Sequence, residues 1–267
     1  MATVTFVTSF FYIYNSEYDE KKTTPWRLER FREIAETGIQ LCVYVCPAFQ
    51  KQVEEIASEF ANVRIMRVYT IGELFVAERM NVGLPNNRNE TKDTVEYMAV
   101  INSKTEFMAD AITQNPWNSE YFAWIDFNIS HVFHDKPATL RYLRELGNRQ
   151  FHGKFFAIPG CWNKFDNVHV GHVTDSIYWR FCGGFFMGDK ESIMNFDRLY
   201  KAHFYDFLIA HNKYVWEVNF WAWLEATTDW NPAWYSADHN DSIILNMSAS
   251  YFAKALSSFD SYKTTEY

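Results

Sequence analysis

"YFAWIDFNISHVF", residues 121–133, begins as an aromatic and aliphatic run that reads as a buried strand, and then places an acid, Asp126, near its end. A carboxylate buried alone costs several kcal/mol unless something pairs it or binds it. In open α/β sheets, ligands gather outside the carboxyl ends of the strands, so an acid there stands where a site belongs. Asp126-Phe127-Asn128 offers one carboxylate and one amide oxygen, donors that suit Mg²⁺ or Mn²⁺. The competing reading of Asp-x-Asn is an acid that caps a turn.

Upstream, the pattern alternates strand with helix. "ATVTFVTSFF" (2–11) is a β-branched and aromatic run, followed by a polar stretch at 15–25. Pro25 opens a helix with Leu28, Phe31, Ile34 and Ala35 on one face, and Gly38 stops it. "IQLCVYVCP" (39–47) is a second strand, Val53, Ile56, Ala57 and Phe60 follow at helical spacing, and "NVRIMRVY" (62–69) is a third strand. Strand-helix-strand-helix-strand specifies a wound α/β unit with a largely parallel sheet. After a polar loop at 81–91, one long helix is expected over 93–113, ended by Asn115-Pro116.

Downstream, "FFAIPGCW" (155–162) and "SIYWRFCGGFFMG" (176–188) read as strands of a mixed sheet. Asp189 caps a helix over about 190–212. A helix at 216–226 turns Phe220, Trp221 and Leu224 inward, and a strand and loop span 233–246.

The 267 residues are enough for a sizeable core, and an aromatic share of 19% favours a packed protein with ring-lined surfaces over a disordered one. The net charge of −8 and the lack of a long basic run argue against duplex nucleic acid as a partner. Cys42, Cys46, Cys161 and Cys182 form no CxxC pair and no zinc-type spacing, so free buried thiols in a reducing compartment are expected. No leader pattern and no run of 18 apolar residues occurs, so a cytoplasmic chain without a transmembrane segment is expected. P-loop, Rossmann, zincin and nucleophile-elbow motifs are missing.

Five further features are candidates for chemistry. His239, between Asp238 and Asp241, either sits on the surface or completes a metal site with Asp126. Gly183-Gly184 marks a packing bulge or a close approach to a sugar. Arg180 is placed to meet a phosphate or an acceptor hydroxyl. Glu217, in the first turn of an apolar helix, is either a helix-dipole acid or a general base. Asn102 and Lys104 lie just upstream of the acid-ended strand, and Lys104 is either exposed or a point-charge partner for a diphosphate.

In this order, the pieces resemble a GT-A-fold glycosyltransferase, and more closely the HtrL/YibB-like group. The residues that carry the likeness are "VTSFF" (7–11), "YMAVINSKTEFM" (97–108), "WIDFNISHVF" (124–133), "FCGGFFMG" (181–188), "EVNFWAW" (217–223) and "ADHNDSI" (237–243). The resemblance implies one α/β domain over 1–250, with a nucleotide-sugar half at about 1–128, an acceptor half at 129–250 and a tail at 251–267. It implies a metal-dependent hexosyl- or pentosyltransferase that uses a UDP-sugar and a glycan acceptor. Thr8 and Ser9 would lie beside the nucleotide, and Asp126 and His239 would hold Mn²⁺ or Mg²⁺. Gly183 and Gly184 would back the sugar, and Glu217 would be the base of an inverting reaction. Asn128 departs from the usual second acid of the motif and would contact ribose or water. Two other classes stay open. A carbohydrate-binding protein would use Trp162, Trp179 and Trp234 as stacking platforms, and a metal-dependent phosphoesterase would share Asp126 and His239.

Overall fold

A computed structural model describes residues 4–13, 22–79, 81–164 and 170–253. Residues 15–21 of the polar stretch and 254–267 of the expected tail lie outside these. Seven strands form one sheet in the order β3-β2-β1-β4-β6-β5-β7. They are β1 (Val4–Phe10), β2 (Gln40–Val45), β3 (Val63–Val68), β4 (Tyr121–Ile125), β5 (Phe156–Gly160), β6 (Phe185–Asp189) and β7 (Ala233–Ser236). Only β6 runs against the rest: it pairs antiparallel with β4 and β5, and every other pairing is parallel. The expected α/β class and mostly parallel sheet are both present.

The helices are α1 (Thr24–Ala35), α2 (Gln50–Ala57), α3 (Val95–Asn102), α4 (Lys104–Gln114), α5 (Lys136–Asn148), α6 (Val170–Asp175), α7 (Lys190–His211), α8 (Glu217–Thr227) and α9 (Ser242–Leu245). Local chemistry sets several ends. The Thr23 side chain accepts from Trp26 N ahead of Pro25, and Gly38 ends that segment at φ +81°. Asp189 caps α7 as expected, accepting from the amides of Glu191 and Ser192. The five inner strands are buried on both faces, with Phe6, Val43, Phe122 and Phe185 fully enclosed, as a sheet covered by helices requires, while the edge strands β3 and β7 are partly exposed.

Three expectations are corrected. The single helix at 93–113 is two helices. Asn102 Nδ2 and Ser103 Oγ donate to the carbonyls of Met98 and Ala99, groups that backbone amides would take in an unbroken helix. The break makes Lys104 the first residue of α4. The strand at 176–188 is a strand only from Phe185; residues 176–184 form a loop that buries Arg180 and turns through Gly183. Helix α5 has no counterpart in the sequence reading, although Asp135 caps it and Pro137 sits in its first turn.

Candidate active site

A cavity of about 550 Å³ opens at the carboxyl ends of β1 and β4. Chain connections leave these neighbouring strands in opposite directions, which makes their junction the switch point of the sheet. Four cations (Lys22, Arg27, Lys92 and Lys104) and two acids (Asp126 and Glu217) line it. The chain as a whole carries −8, so this excess of positive charge is local and favours an anion.

Lys104 answers the question raised by Asp126. Its ammonium is buried and donates to Glu217 Oε1 (2.7 Å) and to the carbonyl of Gly183 (2.8 Å), and lies 3.2 Å from Asp126 Oδ1. Three acceptors therefore occupy its three N–H groups. Burial pulls its pKa down, but the carboxylates of Asp126 and Glu217 outweigh that and leave it above the ordinary lysine value. The exposed-helix reading of Lys104 is thereby excluded. Asp126 Oδ1 also accepts from Trp124 Nε1 at 2.8 Å, and its side chain remains 43% exposed. Its other oxygen borders Gly184, 3.6 Å from where a Cβ would stand.

Eight of the eleven residues singled out from sequence line this cavity: Ser9, Lys104, Asp126, Asn128, Gly183, Gly184, Glu217 and His239. Gly183 has a different neighbour from the one expected. A Cβ there would fall 2.1 Å from Glu217 Oε1, so the glycine makes room for the Lys104–Glu217 pair. His239 reaches the cavity from the loop after β7. Its Nδ1 stands 3.4 Å from Asp238 Oδ1 and 3.8 Å from Cys161 Sγ, and its ring meets Trp179 edge-on.

Three candidates lie elsewhere. Thr8 alternates to the opposite side of β1 from Ser9, where its hydroxyl is buried and has no partner among the described residues. Asn102 is spent internally: its amide donates to the carbonyls of Met98 and Val215, and its oxygen accepts from Tyr200. Arg180 is buried against Glu225, with both carboxylate oxygens engaged at 2.7 and 2.8 Å, and does not line this cavity. Trp234 is equally committed, since its ring lies under Arg180 and its Nε1 donates to the Arg180 carbonyl, so it is no open sugar platform.

The sequence reading missed Lys22 and Arg27, which flank the start of α1, and Lys92 from the loop before α3; the three share no motif. It also missed Trp216, buried in the cavity wall with an indole N–H that has no acceptor among the described residues. The cysteines are free, as expected, but Cys161 is only half-buried, and it stands against Cys182 and His239. Burial pushes both of these thiols above the ordinary cysteine value. No helix among the described residues is long and apolar enough to cross a membrane.

A family model described as "Bacterial protein of unknown function (HtrL_YibB)" matches residues 75–218, more than half of the chain. No curated protein matches the sequence. Among solved structures, the apo form of mouse xyloside xylosyltransferase 1 is similar at 10% identity, with a TM-score of 0.43 over 88% of this chain and 84% of that one. A 4-diphosphocytidyl-2C-methyl-D-erythritol synthase from Anaerococcus prevotii is similar at 10% identity, with a TM-score of 0.41 over 88% of each chain.

Proposed function

The chain belongs to the HtrL_YibB family, and we propose that it is a glycosyltransferase that moves a sugar from a nucleoside diphosphate, UDP first among them, to a hydroxyl group of a glycan or similar acceptor. One observation carries the reading: an anion-favouring cavity at the sheet's switch point, with a half-exposed carboxylate at the end of its central strand. Lys22, Arg27 and Lys92 supply charge for a diphosphate. Tyr12, half-exposed beside Phe49, offers a ring for a nucleobase.

A hard divalent ion, Mn²⁺ or Mg²⁺, fits the donors present. Such ions are held by one or two carboxylates and complete their shells with substrate phosphate and water. Asp126 offers its second oxygen toward the cavity, and Asn128 lies beside it. His239 turns Nδ1 toward Asp238 and Cys161, so this reading leaves Asp126 as the anchoring protein ligand. When bound, the ion supplies charge neutralisation for the leaving diphosphate.

Among the lining acids, Glu217 remains for the acceptor. Lys104 fixes one of its oxygens by a hydrogen bond of 2.7 Å. The acceptor hydroxyl gives its proton to Glu217 as its oxygen bonds to the anomeric carbon. The bond from that carbon to the phosphate oxygen breaks on the opposite face, and the electron pair leaves with the nucleoside diphosphate. The configuration therefore inverts.

A panel of nucleotide sugars incubated with the chain and Mn²⁺ tests the proposal by release of nucleoside diphosphate. Acceptor-stimulated release of UDP is expected. Hydrolysis of a simple phosphate monoester without sugar transfer would instead make the protein a phosphoesterase, and binding without any turnover would make it a carbohydrate-binding protein.

A further inference from the structure

Cys161, Cys182 and His239 are far apart in the sequence, and the sheet brings them together. Cys161 follows β5, Cys182 precedes β6 and His239 follows β7. Backbone hydrogen bonds tie these segments to one another: Cys182 N donates to Pro159 O (2.8 Å), Cys161 N to Trp179 O (3.1 Å) and Ala237 N to Gly160 O (2.9 Å). One side-chain donor atom from each of the three residues lies within 4.8 Å of the others. The two sulfurs are 3.4 Å apart, and Cys161 Sγ is 3.8 Å from His239 Nδ1. A tetrahedral zinc ion with Zn–S of about 2.3 Å and Zn–N of about 2.0–2.1 Å spaces its ligand atoms roughly 3.4–3.8 Å apart. Asp238 Oδ1 lies 3.7 Å from Cys161 Sγ and 3.4 Å from His239 Nδ1, but it accepts from the His239 amide and stands outside the three-residue cluster. The Trp179 ring, 4.2 Å from the imidazole, holds it in place.

We propose that Cys161, Cys182 and His239 form a three-ligand binding site for one Zn²⁺, with the fourth position open to water. Two thiolates and an imidazole select a borderline-soft ion and discriminate against Mg²⁺ and Mn²⁺, which prefer oxygen. The site is separate from the carboxylate of Asp126 and does not depend on the transferase reading. Cys182 and His239 also line the large cavity. The ion therefore sits in the cavity wall and clamps the 237–241 loop to the segment that carries Gly183.

The test uses the full chain, reduced, stripped with a chelator and titrated with Co²⁺ as the probe. One equivalent is expected to bind, with thiolate-to-cobalt charge-transfer absorption and the visible bands of tetrahedral Co²⁺. Zn²⁺ displaces it one for one, and excess Mg²⁺ does not. Cys182→Ser and His239→Ala each weaken Zn²⁺ binding by at least about 100-fold, because even outer-shell changes cost 10–100-fold. Cys46→Ser, outside the cluster, leaves it unchanged. An octahedral cobalt spectrum without thiolate absorption would overturn the proposal on the wild-type chain alone, whether or not the variants fold. Equal Zn²⁺ affinity in the wild type and in the Cys161→Ser/Cys182→Ser double variant would overturn it as well.

Discussion

Two glutamates on helix α8, Glu217 and Glu225, are both buried and both paired with a buried cation, yet they do different things. The Arg180–Glu225 pair is closed. The guanidinium fork meets both carboxylate oxygens, donates to the Trp162 carbonyl (3.1 Å) and lies over the rings of Phe181 and Trp234. The Lys104–Glu217 pair is open. Its side chains are as buried as those of the first pair, at 6% and 7% exposure against 6% and 4%, but its ammonium also reaches Asp126, which faces the cavity. Burial and pairing therefore do not mark a site by themselves; what marks it is a network with an oxygen left over for a ligand. The choice of cation agrees, since a planar fork satisfies one carboxylate fully and a point charge can be shared among three acceptors.

The comparison breaks most visibly if the closed pair is opened. Arg180→Met should strand the Glu225 carboxylate and cost about 3–5 kcal/mol in urea unfolding, with UDP affinity of the folded fraction unchanged. A loss of affinity at intact stability would place Arg180 in the site after all. At the open pair, Glu217→Gln keeps the shape and removes the base of the proposed reaction. Turnover should fall roughly 10²–10⁴-fold, with donor affinity nearly unchanged and less stability lost than in Arg180→Met. The wild-type product should carry the inverted anomeric configuration, read by NMR coupling constants; a retained configuration would remove Glu217 from the role of base.

The two adjacent glycines sharpen the same contrast. Gly183→Ala puts a methyl 2.1 Å from Glu217 Oε1 and must displace the carboxylate, at a cost of about 1–3 kcal/mol and with loss of activity. Gly184→Ala meets nothing closer than 3.5 Å and should stay within roughly 0.5 kcal/mol of wild type. A pH-dependent effect is expected at Asp241, which accepts from the amides of His134 and Asp135 and from the Thr139 hydroxyl, tying the start of α5 to the loop after β7. Burial alone would raise its pKa, but these hydrogen bonds outweigh burial and hold it below the usual aspartate value of 3.8. Its stabilisation is therefore complete above that pH and is lost as pH falls through the lower, folded-state value. Asp241→Asn should cost about 1–2 kcal/mol at pH 7 by urea unfolding and almost nothing in strong acid.

Much of this was legible before any coordinates. Strand runs such as 39–47 and the caps at Pro25 and Asp189 followed from periodicity and local hydrogen bonding, which act within a few residues. Asp126 and Glu217 stood out because an acid in an apolar run is costly enough to need a reason. Arg180 and Asn102 were misread because their partners, Glu225 and Val215, are set by tertiary contacts, and Thr8 because nothing local fixes which side of β1 meets the cavity. The thiol–imidazole cluster was invisible for the same reason: its ligands come from three loops, and no spacing along the chain joins them.

The central claim is that the cavity around Lys104, Asp126 and Glu217 takes a nucleoside diphosphate. Isothermal titration of UDP into the full chain with Mn²⁺ tests it most directly. Binding should be measurable in the wild type and should weaken by at least about tenfold, or 1.4 kcal/mol, both in EDTA and in Asp126→Ala. Equal UDP affinity in wild type and Asp126→Ala, with and without EDTA, or no UDP binding at all, would contradict it.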